Sequence, residues 1–277
     1  MTATTIPTPI TAPATGGSDG ASFLSGTLAI AGRTLRAFVR TPQQIVFGTI
    51  AGAMFLLLFR YVFGGAISTP GLDYVDFIVP GFLVSGILFG GQESAVGVAA
   101  DMESGLFDRL RSLPIHRTSV LAGRSLADVG RLAWSTTATA LIGVAIGFRP
   151  SGSVAELALA AVLVLTYGLA FSWVFTTMGL VSGSAQGAQG LSMLVFPLSF
   201  ISSANVPVDS MPGWMQPVAE HNPVTSMVNS VRSLTGGGAT EVGLPHGTAH
   251  WVLLSLAWCA AITAVFAPLA VRRFTRR

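Results

Sequence analysis

Six long apolar runs, at roughly 44–64, 77–98, 128–148, 154–181, 187–205 and 250–270, leave this chain little choice of fold. A helix rising ~1.5 Å per residue needs about 20 residues to cross a ~30 Å hydrocarbon core, and each run is close to that length or longer. Lipid offers no partner to an unpaired backbone group, so open-ended spanning elements are helices. The runs therefore predict an all-α membrane protein with six transmembrane helices. A mean hydropathy of +0.66 and a charged fraction of 10% agree, being outside the range of an ordinary soluble domain.

Arginine sets the direction. Lysine is absent, so all 15 basic residues are arginines. Arg33, Arg36 and Arg40 precede the first run, and Arg109, Arg111, Arg117, Arg124 and Arg131 lie between or at the edges of the second and third. Arg272, Arg273, Arg276 and Arg277 follow the sixth. The other side holds Arg149 and Arg232, with Arg60 near the outer end of the first run. The positive-inside rule puts both termini and the 99–127 segment in the cytoplasm, as in a multi-pass protein of the plasma membrane. None of the basic clusters is interleaved with an aromatic platform, so nucleic acid is not an expected partner.

Other chemistries find little support. The single cysteine, Cys259, sits inside the sixth run and reads as a small packing residue. His116, His221, His246 and His250 lie in or beside loops, with no H-E-x-x-H pair and no G-x-S-G serine motif. Neither a metal site nor a catalytic residue is expected. A Walker A loop needs a lysine on the phosphates, so a chain without lysine carries no standard ATP site. A secondary transporter would predict inverted repeats and several buried ionisable groups; no internal repeat is visible.

The chain divides into a disordered cytoplasmic tail at 1–20, an amphipathic interfacial helix at 21–41 and a transmembrane domain at 42–277. The tail is mostly Thr, Pro, Ala and Gly with one charge, Asp19, and has neither the basic nor the apolar region of a signal peptide. In the interfacial helix Leu24, Leu28, Leu35 and Phe38 share one face and Arg33, Arg36 and Arg40 another, which suits anionic headgroups and membrane lipid. Within 99–127, Met102, Leu106, Phe107, Leu110 and Leu113 recur at helical spacing until Pro114 stops the helix. Glu103, Asp108, Arg109 and Arg111 fill the intervening positions, and this mixed charge suits a protein partner better than a lipid surface. Further on, Pro197, Pro207, Pro212, Pro217 and Pro223 exclude one continuous helix. Asn222-Pro223 is a helix start, asparagine at the N-cap and proline at the first helical position. We read 206–235 as two short re-entrant helices dipping into the outer leaflet, with Trp214 and Trp251 at headgroup level.

Three blocks carry a resemblance: YVDFIVPGFLVSGILFG (74–90), DMESGLFDRLRSLPIHRTSVLAGRSLAD (101–128) and FPLSFISSANVPVDSMPGWMQPVAEHNPVTSMVNSVRSL (196–234). Together they resemble permeases of ABC-2 type exporters, specifically the daunorubicin-resistance type. The second block looks like the family's cytoplasmic coupling helix, at about 101–114. The third looks like its paired re-entrant helices, with Pro212, Gly213 and Trp214 in one signature and Asn222 and Pro223 in the other. The resemblance implies a permease that pairs with a second copy or a related permease to export a hydrophobic drug-like or lipid-like substrate. A polysaccharide or glycolipid exporter is the alternative within the class. Separate ATPase subunits would hold ATP and Mg²⁺, and no cofactor would sit on this chain. Gly105 would allow close approach to the ATPase, Leu106, Phe107 and Leu110 would fill its groove, and Asp108, Arg109 and Arg111 would fix orientation. Leu88-Phe89-Gly90-Gly91-Gln92 looks like the ATPase signature loop but lies inside an apolar run and is read as coincidence.

The substrate path in similar exporters runs along the second and fifth spans. Here those spans carry Phe89, Gln92, Glu93, Met193, Phe196 and Phe200, an aromatic and methionine lining suited to varied apolar ligands. Glu93 stands out because an intramembrane carboxylate is costly and usually functional. Two readings stand for it: a gate or substrate contact, or a charge solvated at the end of its span.

Overall fold

The computed structural model describes residues 22–65, 67, 72–107 and 117–276. These residues form helices and connecting turns with no strand among them. In order they are α1 (Phe23–Val39), α2 (Pro42–Leu58, running into a π-helical turn at Phe59–Phe63), α3 (Tyr74–Glu103), α4 (Arg117–Ala145) and α5 (Val154–Ser182). There follow α6 (Ala185–Ser192), α7 (Phe196–Phe200), α8 (Gln216–Glu220), α9 (Pro223–Thr235) and α10 (Thr248–Arg276). By length and composition α3, α5 and α10 are able to cross a membrane. The apolar run at 187–205 is not one helix: α6, a 3-10 turn at Met193–Val195 and α7 follow one another, and the chain turns at Ile201.

Close contacts give the helix directions. Gly97 and Asp101 of α3 meet Arg124, while Val79 meets Gly143, so α3 and α4 are antiparallel. Gly91 lies on Phe175 and Ala95 on Gly179, so α3 and α5 are parallel. Ser85 pairs with Ser199 through their hydroxyls at 3.0 Å and Phe89 touches Phe196, so the α6–α7 segment runs back against α3. Thr177 donates to the Phe266 carbonyl at 3.2 Å, tying α5 to α10 near Pro268. α3 is the central element, flanked by α4, α5, α6 and α9.

Glycines permit this spacing. A Cβ at Gly91 would lie 1.9 Å from the Phe175 ring, and one at Gly81 would lie 1.9 Å from the Ala204 carbonyl oxygen. Gly91 thus has a packing reason, whereas Gly90 beside it faces open space. Gly143 lies against Val79, whereas Gly48 and Gly52 face open space.

α1 lies along the first half of α4, with Gly26 on Ser119, Ile30 on Gly123 and Leu35 on Gly130. Its buried residues are Gly26, Thr27 and Ala31. Of the residues expected on its apolar face, Leu24 and Leu28 are exposed while Leu35 and Phe38 are half-buried. α2 likewise leaves Val46, Ile50, Met54, Phe55 and Tyr61 uncovered.

Between α7 and α10 the chain forms a hairpin. The Tyr74 hydroxyl lies 3.4 Å from the Asn205 carbonyl, near the start of α3. The chain then descends to Asn222, which meets the Leu198 and Ile201 carbonyls. α9 climbs back until the Thr235 carbonyl accepts the Ser151 N–H at 2.9 Å. The loop containing Ser151 leads into α5, whose N-terminus is closed by a reciprocal Ser153–Glu156 capping box.

Candidate functional site

Three regions gather the functional candidates. The first is an open stripe on α3. Although 72% of its apolar stretch is buried, Phe89, Gly90, Glu93 and Ala100 are exposed along one face. Gly86 and Gly90 have only open space where a side chain would begin. The Phe89 and Phe196 rings meet at 5.0 Å, and Met193 and Phe200 are exposed on the α6–α7 segment. Phe196 and Gln92 are half-buried. Glu93 makes no hydrogen bond or ion pair among the described residues and is exposed, so it is not a buried charge in this chain.

The second region is the end of the bundle where α3 finishes and α4 begins. Gly105 closes α3 in the left-handed region, at φ +68°, with its N–H on the Met102 carbonyl. A Cβ there would touch nothing, so its backbone conformation gives this glycine a local reason. Glu103 is exposed and Leu106 half-buried. Phe107 departs from expectation. It is 5% exposed and packs edge-on against Phe274 at 5.3 Å, in a cluster with Val98, Val120, Leu121, Leu180 and Ala270. Two residues beyond the left-handed glycine the ring points back into the bundle, so Phe107 is packed against its own chain rather than presented on an open face. Asp108, Arg109, Leu110, Arg111, Leu113 and Pro114 lie outside the described residues.

Next to this cluster two ion pairs cross between or brace α3 and α4. Arg124 pairs with Asp101, and its other terminal nitrogen lies 3.5 Å from the Ser94 carbonyl. Ser94 donates its hydroxyl to Asp128, which also pairs with Arg131. The arginines read from sequence only as markers of orientation are therefore structural partners. Spacing puts 124, 128 and 131 on one helix face and 94 and 101 on another, but it does not say that the two faces meet.

The third region is the hairpin. Asn222 caps α9 by accepting the Val224 N–H at 2.8 Å, and its amide nitrogen donates to the Leu198 and Ile201 carbonyls. Pro223 occupies the first helical position. Pro212, Gly213 and Trp214 are exposed, Trp214 to 74%, whereas Trp251 is buried and donates to the His246 carbonyl. Arg232 was legible only as an outer-side arginine, yet it is 2% exposed. Its guanidinium donates to Asn229 Oδ1 and to the Phe77 and Ser203 carbonyls at 2.9–3.0 Å, and lies 3.8 Å over the Phe77 ring. No cluster of three or more potential metal ligands occurs among the described residues.

The sequence comparisons point one way. The family model for ABC-2 type transporters matches residues 26–235. The chain is 32% identical to a daunorubicin resistance ABC transporter permease of Streptomyces coeruleorubidus, over 93% of this chain and 88% of that protein. It is 28% identical to a probable doxorubicin resistance ABC transporter permease of Mycobacterium tuberculosis, over 90% and 88% respectively. A probable multidrug ABC transporter permease of Escherichia coli is 25% identical over 60% of this chain and 45% of its own length. With the family's model covering most of its length, and helices able to cross a bilayer, the chain is an integral membrane protein of the ABC-2 type transporter family, among permeases of the daunorubicin-resistance type.

Proposed function

We propose that this chain is the transmembrane subunit of an ATP-driven exporter for hydrophobic, drug-like or lipid-like molecules. It crosses the membrane six times with both termini in the cytoplasm. The alternating directions of α3, α4, α5 and the α6–α7 segment, together with the arginine distribution, support that topology. A second permease completes the pathway, and separate ATPase subunits bind ATP and Mg²⁺ and act on the loop after α3. α1 rests in the inner interface and the α8–α9 hairpin dips into the outer leaflet.

The observation that carries this reading is the open stripe on the most buried of the three long apolar helices. Phe89, Phe196, Met193 and Phe200 offer an aromatic and thioether surface, with Glu93 an unpaired negative charge beside it. Such a face suits planar, apolar cations, and two relatives are named for daunorubicin and doxorubicin resistance.

The test is efflux in proteoliposomes containing the permease and its ATPase. ATP-dependent movement of a fluorescent anthracycline is expected, with Glu93→Gln slowing it roughly tenfold, equivalent to about 1.4 kcal/mol, while basal ATP hydrolysis persists. Wild-type efflux by Glu93→Gln across several substrates would return that residue to a solvated helix end. No ATP-driven efflux of any amphipathic drug or lipid would overturn the exporter reading.

A further inference from the structure

The α3–α4 hairpin is closed at its inner base by charge. Asp101 lies in the last turn of α3 and Arg124 in the second turn of α4, and their side chains meet across the segment that the exporter reading assigns to the ATPase. Behind them Ser94 and Asp128 make a second link between the two helices, with Arg131 paired to Asp128. The arrangement is partly enclosed: side-chain exposure is 12% for Arg124 and 10% for Asp128, and 33% for Asp101 at its rim. Gly97 makes room for it, since a Cβ there would fall 2.4 Å from the Arg124 guanidinium.

We propose that Asp101 and Arg124, backed by Ser94, Asp128 and Arg131, are positioning residues that brace α3 and α4 into one lever, so that a push on the intervening loop displaces α3 and its open stripe. The proposal rests on the exporter function above and adds the route by which the push arrives.

Charge suits this task better than greasy packing. Apolar side chains of similar volume hold two helices together as well or better, but they tolerate slippage. Packed helices shift in register by one turn, about 5.4 Å, in switching proteins. A slip that brings Asp128 opposite Asp101 sets carboxylate against carboxylate and leaves Arg124 without its partner. The pairs therefore oppose sliding while permitting rigid rotation. Phe107 completes the lever: it packs against Phe274 of α10 in the cluster that also holds Leu180 of α5 and Leu121 of α4, so the residue that follows α3 is anchored in the bundle. α3 then carries the displacement directly to Phe89 and Glu93, about two to four turns along the same helix.

The experiment uses the full permease–ATPase complex in proteoliposomes, reading ATP hydrolysis and efflux on the same preparations. Asp101→Asn and Arg124→Gln are each expected to lower molecules exported per ATP about tenfold, with ATPase co-purification and hydrolysis within twofold of wild type. The charge swap Asp101→Arg with Arg124→Asp should restore at least half of the lost ratio. A second measurement does not depend on those variants folding well. With Cys259→Ala as background, Asp101→Cys and Arg124→Cys are joined by a bifunctional thiol reagent about as long as the Arg–Asp pair. A brace predicts that the joined complex still exports. Loss of export on joining would mean that the helices must part and would overturn the proposal, as would wild-type export per ATP in both single variants. Wild-type efflux alongside either result leaves the exporter function standing; no efflux by the wild-type complex removes both.

Discussion

α9 and α10 are consecutive helices packed on one another, and they reverse the usual relation between polarity and burial. α9 carries Thr225, Ser226, Asn229, Ser230, Arg232, Ser233 and Thr235, and every residue from Val224 to Thr235 is buried. α10 is one of the most apolar helices, yet only 11% of its apolar stretch is buried. In water this would be an inside-out protein. In lipid it is the expected order, because hydrocarbon surrounds α10 as comfortably as protein does, while polar groups must find partners inside. α9 manages this largely within itself. Ser230, Ser233 and Thr235 donate their hydroxyls to the Met227, Ser230 and Val231 carbonyls at 2.7–3.0 Å. Asn229 and Arg232 then connect the helix to Ser203 and Phe77.

The sharpest way to break that comparison is at Arg232. Arg232→Ala removes the donor from three buried acceptors; Asn229 Oδ1 keeps the Ser203 hydroxyl, while the Phe77 and Ser203 carbonyls lose the guanidinium, and each buried group left unpaired costs about 1–3 kcal/mol. A loss of at least about 3 kcal/mol is expected, seen as a collapse in monodisperse protein and in thermal midpoint after detergent extraction. Retention of wild-type stability would mean that the buried polar core of the hairpin contributes nothing to its fold.

A smaller effect is expected where α3 supports the entry to the hairpin. Gly81→Ala drives a methyl into the Ala204 carbonyl, a backbone atom that cannot swing aside, and overpacking of this kind costs about 1–3 kcal/mol. Gly86→Ala is its control on the same helix: the added methyl meets open space and removes the flexibility of a mid-helix glycine, worth about 0.5–1 kcal/mol in its favour. Comparing the two thermal midpoints separates close approach from helix propensity. Equal shifts would show that α3 is not held against residue 204.

Much of this architecture was legible in the sequence, in uneven ways. The long apolar runs gave α3, α5 and α10 because length and composition alone decide whether a helix can span. Asn222-Pro223 gave the start of α9 because its capping chemistry is local. The break in the run at 187–205 was harder, since apolar composition continues through Met193 and Phe196 and only the turn at Ile201 ends it. The burial of Arg232 was invisible: a lone arginine after a proline-rich loop has the same sequence pattern whether it meets headgroups or carbonyls. Phe107 shows the same limit. Helical spacing put it on an apolar face, but spacing does not say whether that face meets another subunit or Phe274, which is far along the chain. The pairing of Arg124 with Asp101 was likewise hidden, because it depends on how α3 and α4 pass one another.

The mildest change tests the other half of the comparison. Leu253 is 67% exposed on α10, and removing most of its side chain leaves no cavity, since the space is open to the surroundings. The water-to-protein transfer term that penalises such truncations in soluble cores is also absent, because both the folded helix and its membrane-embedded reference present the residue to hydrocarbon. Leu253→Ala is therefore expected to shift stability by less than about 0.5 kcal/mol, the range of an uninvolved surface substitution. The same substitution at Met227 of α9, 1% exposed, should exceed it several-fold because its packing contacts are lost outright. Thermal midpoints of the two variants in one detergent make the comparison. A large loss at Leu253 would sharpen the picture in a specific way: α10 would then be covered by a second protein and not by lipid, and its exposed leucines would mark the surface where that protein sits.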